Sequence, residues 1–405
     1  MNPELRTREA GRTSLVSLFL TFLRLGLTSF GGPVAHLGYF REAFVERRRW
    51  LTESAYADLV ALCQFLPGPA SSQVGMGIGL MRGGVAGALA AWLGFTLPSA
   101  ALLIAFGYGV VAMGDGIPAD ALQGLKIAAV AVVAQAVWGM GRALCPDRER
   151  VTLAVVAAAA VLALPSAWTQ VAVIFAGGVY GWRFLEPAAR GGSGTLAVPV
   201  RYGTAAVLLA AFVLLLAGLP TAAAIWPGQP LALFDSFYRA GSLVFGGGHV
   251  VLPLLQAEVV PPGWVDEDAF LAGYGAAQAV PGPLFTFAAY LGTVMSETPK
   301  GWTGALLCLA AIFLPSFLLV IGVLPWWSRL REYGPLRRAL PGVNAAVVGL
   351  LLAALYDPVW TAGIRSTADF ALALFAFILL VFWRTPPWLV VVLAGAARWA
   401  LGPVV

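Results

Sequence analysis

The most constraining feature of this chain is that one segment occurs twice, and the loops that follow the two copies carry opposite charge. FLRLGLTSFGG (Phe22 to Gly32) is answered by FYRAGSLVFGG (Phe237 to Gly247). Phe22, Arg24, Gly26, Phe30, Gly31 and Gly32 thus face Phe237, Arg239, Gly241, Phe245, Gly246 and Gly247. At almost the same offset, Trp50 and Glu53 face Trp264 and Glu267, CQFLPGP (Cys63 to Pro69) faces AQAVPGP (Ala277 to Pro283), and LPSAAL (Leu97 to Leu102) faces LPSFLL (Leu314 to Leu319). Several motifs repeated in order at a nearly fixed spacing mark an internal duplication. The expected organisation is a tail at 1–13, a first repeat at 14–185, a Gly- and Pro-rich linker with a connecting helix at 186–230, and a second repeat at 231–405.

Only 11% of the 405 residues are charged and 60% are hydrophobic, against about 25% charged in a soluble domain. Apolar runs recur along the whole chain, many of them long enough to cross a hydrocarbon core of ~30 Å. This predicts an all-α polytopic membrane protein. The first apolar run, from Leu15, follows a basic stretch as a signal peptide would. Its internal counterpart assigns it instead to the mature fold. The three cysteines form no CxxC and the two histidines are far apart, so neither a disulfide framework nor a zinc site is expected. No cofactor and no nucleic-acid partner are implied.

Cytoplasmic loops are enriched in Lys and Arg. The loop after the first FGG holds Arg41, Arg47, Arg48 and Arg49, whereas its counterpart, Gln256 to Asp268, holds Glu258, Asp266, Glu267 and Asp268 and no basic residue. Equivalent loops of opposite character predict repeats of inverted topology, a recurring plan of secondary transporters. Keeping Arg12 and Arg47 on one side requires Ser14 to Phe40 to enter and return, hinged at Phe30-Gly31-Gly32-Pro33. Ser54 to Met81 then hinges at Pro67-Gly68-Pro69, and the second repeat at Phe245 to Gly248 and Pro281-Gly282-Pro283. Four full spans follow in each repeat. Uninterrupted spans that violate the loop rule are the alternative to these hairpins.

Broken helices leave backbone groups unpaired and are tolerated in a membrane only where they are buried or line a wet cavity. A half-helix beginning after a Gly or Pro turn presents free N–H groups and a positive dipole end, an anion site. Arg24 and Arg239 lie at matched positions in apolar segments. Either they bind an oxyanion through several N–H donors, or they snorkel and pair locally. Lys126 either adds charge to the cavity or is an ordinary helix-end lysine. Gln64 and Gln278, three residues before the PGP turns, donate to the ligand or cap loose carbonyls. Ser71, with Ser72 and Gln73, could supply donors after the first turn only. His36 and His249 do not align and read as internally satisfied polar residues, Trp50 and Trp264 as interface anchors. Small-residue helices such as Val151 to Leu164 admit either a homodimer contact or internal packing.

The combination FGGP, RRRWL and QFLPGP, followed by FGGGH, Trp264 and QAVPGP, resembles the chromate ion transporter family in its long two-domain form. The family motif positions are Gly31-Gly32, Arg49-Trp50-Leu51, Pro67-Gly68-Pro69, Gly246-Gly247 and Pro281-Gly282-Pro283; the second repeat lacks the basic run before Trp264. The resemblance implies a multi-pass protein of the bacterial inner membrane that exports chromate and confers resistance. Sulfate has the same shape and charge, so a sulfate importer or an anion channel is the alternative. A membrane-embedded enzyme would need a redox or carboxylate–metal centre, which the sequence does not offer.

Overall fold

The computed structural model describes residues 13–30, 32–113, 119–186, 196, 199–245, 250–330 and 332–401. Gly31, Gly246, Gly247 and His249 lie outside the described residues.

The described residues form helices joined by turns. The first repeat contains α1 (Leu15–Thr28), α2 (Gly32–Arg41), α3 (Glu53–Phe65), α4 (Ala70–Met113), α5 (Ala119–Leu144), α6 (Arg148–Ala163) and α7 (Ala167–Phe184), and α8 (Tyr202–Ile225) follows. The second repeat contains α9 (Gln229–Leu243), α10 (Val251–Val259), α11 (Glu267–Ala279), α12 (Phe287–Val294), α13 (Gly301–Val323), the short α14 (Trp327–Leu330), α15 (Gly334–Ala354), the single turn α16 (Thr361–Gly363), α17 (Thr367–Val381) and α18 (Pro387–Leu401). Several starts are capped as their sequence dictates: Ser14, Thr52, Asp147, Ser166, Asp266 and Ser366 each accept a backbone N–H from the first turn.

The helices break where the glycines and prolines require. α1 ends at Thr28 and α2 begins at Gly32; α3 ends before Pro67-Gly68-Pro69, and α11 before Pro281-Gly282-Pro283. The hairpin reading therefore describes the fold, and uninterrupted spans at these positions do not. A further reversal lies at Gly84 inside α4, where φ 66° and ψ −159° fold the helix back on itself. Gly79 and Gly87 meet across it, and Gly292 of α12 meets Gly304 of α13 in the same way.

The two repeats are inverted. Tyr108 meets Trp302, and fifteen or so residues earlier in α4 Trp92 meets Phe313 and Phe317, later in α13. The second arm of α4 and its equivalent α13 thus run antiparallel. The repeats also interlock. α5 of the first repeat packs on α17 and α18 of the second, and α15 of the second packs on α6 and α7 of the first. Small residues allow these crossings: Gly124 meets Gly395, and Gly342 meets Gly177 and Gly181. The small face of α6 is used in the same way, with Ala154 and Ala157 against Gly349 of α15, so this stripe packs inside the protein.

Among the described residues, five helices are long and apolar enough to cross a membrane, including Gln123–Leu144, Tyr202–Ile225 and Gly301–Leu330. Large apolar side chains such as Phe175, Leu214, Phe382 and Trp383 are exposed on the outer surface, as a lipid-facing perimeter requires. This is a multi-pass membrane protein.

At Gly241, equivalent to Gly26, a Cβ would fall 2.2 Å from the Ile312 carbonyl oxygen, whereas Gly218 on α8 faces open space. Gly241→Val is expected to separate α9 from α13 and cost roughly 1–3 kcal/mol or more. Gly218→Val should be near neutral. Size-exclusion yield and thermal stability in detergent check the contrast.

Candidate functional site

The four breaks converge through crossed pairing of the repeats. The Gly68 N–H of the first PGP turn donates to the Val244 carbonyl, at the break after α9, over 2.7 Å. The Gly282 N–H of the second PGP turn donates to the Ser29 carbonyl, at the break after α1, over 3.0 Å. Each turn is thus held by the interrupted helix of the other repeat. A buried backbone group left unpaired costs about 1–3 kcal/mol, so each bond removes a penalty that the breaks create.

The LPS motifs complete the crossing. Ser316 of α13 lies against Gly68, and Ser99 of α4 lies against Gly282; a Cβ on either glycine would come within 3 Å of the facing hydroxyl. Gly68 and Gly282 also sit at φ +119° and +105°, which glycine alone adopts without strain. The PGP motif therefore needs glycine twice over, for the turn and for the close approach. Ser99 and Ser316 lie one helical turn beyond Phe95 and Ile312, whose carbonyls meet the equivalent Gly26 and Gly241. On antiparallel helices this puts the two crossed turns on opposite sides of a pseudo-twofold axis, roughly 12 Å apart along the bundle.

His36 locks the first break. Its Nε2 lies 3.1 Å from the Ser29 carbonyl and its Nδ1 3.3 Å from Ser71 Oγ. Since the carbonyl only accepts, Nε2 carries the hydrogen and Ser71 donates to Nδ1. Ser71 is buried and occupied in this way. Gln73 donates to the Pro67 carbonyl at 2.6 Å, closing the turn from within. Around these contacts lie buried polar atoms without a hydrogen-bond partner among the described residues: Ser29 Oγ, Ser72 Oγ, Thr96 Oγ1, Gln73 Oε1 and Gln278 Nε2. Such atoms are uncommon in a packed core; these five lie near the breaks, and others, such as Gln123 Oε1, Gln170 Oε1 and Trp326 Nε1, lie elsewhere. Phe30, Gly32, Gln278 and Gly282 line one cavity of about 430 Å³.

The charged residues are placed less symmetrically than their sequence positions suggest. Arg239 is paired at both ends, to Glu258 at 2.7 Å and to Asp235 at 2.9 Å, beside Trp168. Arg24 is exposed and lines a separate groove with Glu42, Arg47 and Arg48. The two arginines therefore do not converge on one anion in this conformation. Gln64 is exposed while Gln278 is partly buried, so the matched glutamines also differ. Lys126 is buried and paired with Asp268 of α11, which also meets Arg365 at 3.5 Å. Neighbouring Gln123 donates to the Gly363 carbonyl at 2.7 Å. Lys126 thus joins the repeats at one end of α11, away from the PGP turn at the other. Trp50 lies against Arg48 and Arg82.

Ser29, Ser99 and Ser316 escaped notice in the sequence. The signal for two of them was present, because LPS is itself a repeated motif; only the crossing shows that each serine serves the opposite repeat. Among the described residues no group of His, Cys, Asp and Glu is arranged to hold a metal ion.

Inverted repeats whose broken helices meet inside the bundle define a membrane transporter. Residues 16–182 and 231–399 match the chromate transporter family, and the chain belongs to that family. It is 32% identical to a chromate transport protein of Pseudomonas aeruginosa over 96% of this chain and 93% of that one. It is 28% identical to a chromate transport protein of Cupriavidus metallidurans over 90% and 86% of the two chains. No solved structure matches it.

Two predictions follow from this geometry. Gly282→Ala is expected to abolish transport by driving the turn into Ser99; Gly282→Ala with Ser99→Gly should recover part of it, because the clash goes and the φ strain of about 1–3 kcal/mol stays. Flux in vesicles, with insertion checked by immunoblot, measures both. At the mouth of α11, burial pushes the Asp268 carboxyl up, but hydrogen bonding and charge from Lys126, with Arg365, more than reverse this and hold it below its usual value. A depressed folded-state value stabilises the fold above the unfolded carboxylate range and is lost as pH falls through the folded value. The melting temperature in detergent should therefore drop on acidification through that window, and Asp268→Asn should lower it at neutral pH and flatten that part of the profile.

Proposed function

We propose that this protein is a secondary transporter that exports chromate, or a tetrahedral oxyanion of the same shape and charge, across the bacterial inner membrane and so confers resistance. One observation carries the reading: crossed breaks from two inverted repeats gather free helix starts and unpartnered polar atoms inside the bundle. Gly32, Gln278 and the second turn Pro281-Gly282-Pro283 face the ligand, while Pro67-Gly68-Pro69 and Ser71, which holds His36, brace the crossing; Gly31, Gly246 and Gly247 belong to the set by their motif positions alone. Arg24 gathers the anion at the mouth. Arg239, Lys126 and Gln64 act on the framework in the conformation described.

Orientation follows from charge. The end bearing Arg41, Arg47 and Arg48 faces the cytoplasm, and the end bearing Asp266, Glu267 and Asp268 faces outward. A dianion leaving an inside-negative cell gains roughly 4.6 kcal/mol per 100 mV, two charges at about 2.3 kcal/mol each. Export is thus downhill electrically and needs no nucleotide site. Relatives named for chromate transport support the choice of substrate.

Proteoliposomes loaded with chromate test the proposal. Efflux that accelerates with a potential negative on the side holding the arginine loop, and that sulfate competes with according to its likeness to chromate, is the expected result. Wild-type protein that moves neither anion at any potential would sink it.

A further inference from the structure

One crevice lies at the break after α1 and another at the break after α9, and they differ in chemistry. The first lies between the break after α1, the second PGP turn, α5 and the α17–α18 turn. Besides Phe30, Gly32, Gln278 and Gly282, it is lined by Arg384 and Thr385. The second lies at the break after α9, against α7 and α15. Its walls are Val171, Phe175, Trp182, Phe245, Tyr333 and Leu336, and among the described residues no charged side chain lines it. The arginine near that second break, Arg239, is already neutralised by two carboxylates.

Resting on the transport reading above, we propose that only the first crevice binds the anion, and that Arg384 supplies its charge. First, Arg384 carries no ion pair among the described residues. It occupies a left-handed position, φ 53°, in the turn that ends α17, where the Thr385 N–H returns to the Leu379 carbonyl over 2.9 Å. Glycine is the unstrained residue at such a helix end, yet the chain keeps an arginine there. The corresponding α6–α7 turn, Leu164 to Ser166, has no basic residue.

Second, the crevice presents donors and hides acceptors. Gly32 at the start of α2 and Leu284, in the short 3-10 turn Leu284–Thr286 that leads into α12, both line it; a helix start presents unpaired N–H groups and a positive dipole end. Gln278 Nε2 is buried there without a partner among the described residues. The Leu380 carbonyl, which would repel an anion, is covered by the Gln135 amide at 3.3 Å. Third, Tyr39 forms part of this crevice and of the groove that holds Arg24, Arg47 and Arg48. The basic groove adjoins the crevice and raises anion concentration at its entrance. Fourth, Trp388 meets Phe30 with the rings tilted by 51° and their centroids 6.0 Å apart, and both side chains line the crevice. The ligand class is a doubly charged tetrahedral oxyanion, held by a guanidinium fork and backbone donors.

Full-length protein in nanodiscs, titrated with chromate, reads this directly, because chromate absorbs where tryptophan emits and Trp388 lines the crevice. Wild type should show saturable quenching reversed by sulfate, and Trp388→Phe should remove most of the saturable part. Arg384→Gln should raise the apparent Kd by about tenfold or more, with Arg384→Lys intermediate because the ammonium keeps charge but loses the fork. Gln278→Met, which keeps the volume, should weaken binding independently. Leu336→Ala, in the apolar crevice, should leave the Kd unchanged. Wild-type Kd in both Arg384→Gln and Gln278→Met overturns the site, and an equal loss in Leu336→Ala overturns its singleness. Flux measured on the same preparations separates this from the transport reading. Wild type that moves no oxyanion defeats the latter, whereas active wild type with active Arg384→Gln of unchanged KM defeats only the crevice.

Discussion

The structure depends on two backbone hydrogen bonds, from Gly68 to Val244 and from Gly282 to Ser29. Breaking a helix inside a bilayer exposes peptide groups that water cannot reach. Here each break is satisfied by a turn from the opposite inverted repeat. Neither repeat can satisfy its own breaks in this way, so the two must assemble together. The interlocking of α5 with α18 and of α15 with α7 follows the same logic on a larger scale. Small residues at the crossings supply the close approach that drives association where lipid offers no hydrophobic contrast.

Much of this was legible in the sequence because the constraints act on residue types with few substitutes. Gly68 and Gly282 need a positive φ and a missing side chain at once, and only glycine meets both demands. The duplication and the loop charges give the helix order and the inversion. The crossing itself was not legible, because equivalence at a fixed offset says which residues correspond and nothing about which repeat they face. Arg24 and Arg239 show the cost. Matched in sequence, they differ in space because Asp235 and Glu258 surround Arg239 while Arg24 opens to a groove. Lys126 is a similar case: a buried lysine in an apolar helix suggests a ligand until Asp268, remote in sequence, is placed beside it.

Duplication explains the scaffold, and divergence explains how two crossed turns of one design come to differ in charge. A perfectly symmetric protein would hold two sites at opposite sides of its axis, both charged, and a dianion would move between traps of equal depth. Confining the charge to Arg24, Arg48 and Arg384 on one side leaves the second crevice apolar and Arg239 internally neutralised. With the site proposed above, the anion would have one well to leave, and conduction requires binding tight enough to enter and weak enough to release.

The same geometry indicates which parts can move. α11 carries the second PGP turn at one end and the Lys126–Asp268–Arg365 cluster at the other. α3 carries the first PGP turn at one end, and the Glu53–Arg41 pair at its start. Each is a short helix with an ion pair near an aqueous surface, a backbone bond from its turn at the centre of the bundle, and a buried face between them. Long packed elements such as α4 and α13 are bound along their whole length by aromatic and glycine contacts. Rocking of α11 about its charged end would shift Gly282 against Ser29 without disturbing the α4–α13 framework. A transporter that opens alternately to two sides needs two such arrangements of one element, and for α11 any such motion must carry along α5 and α18, on which it packs.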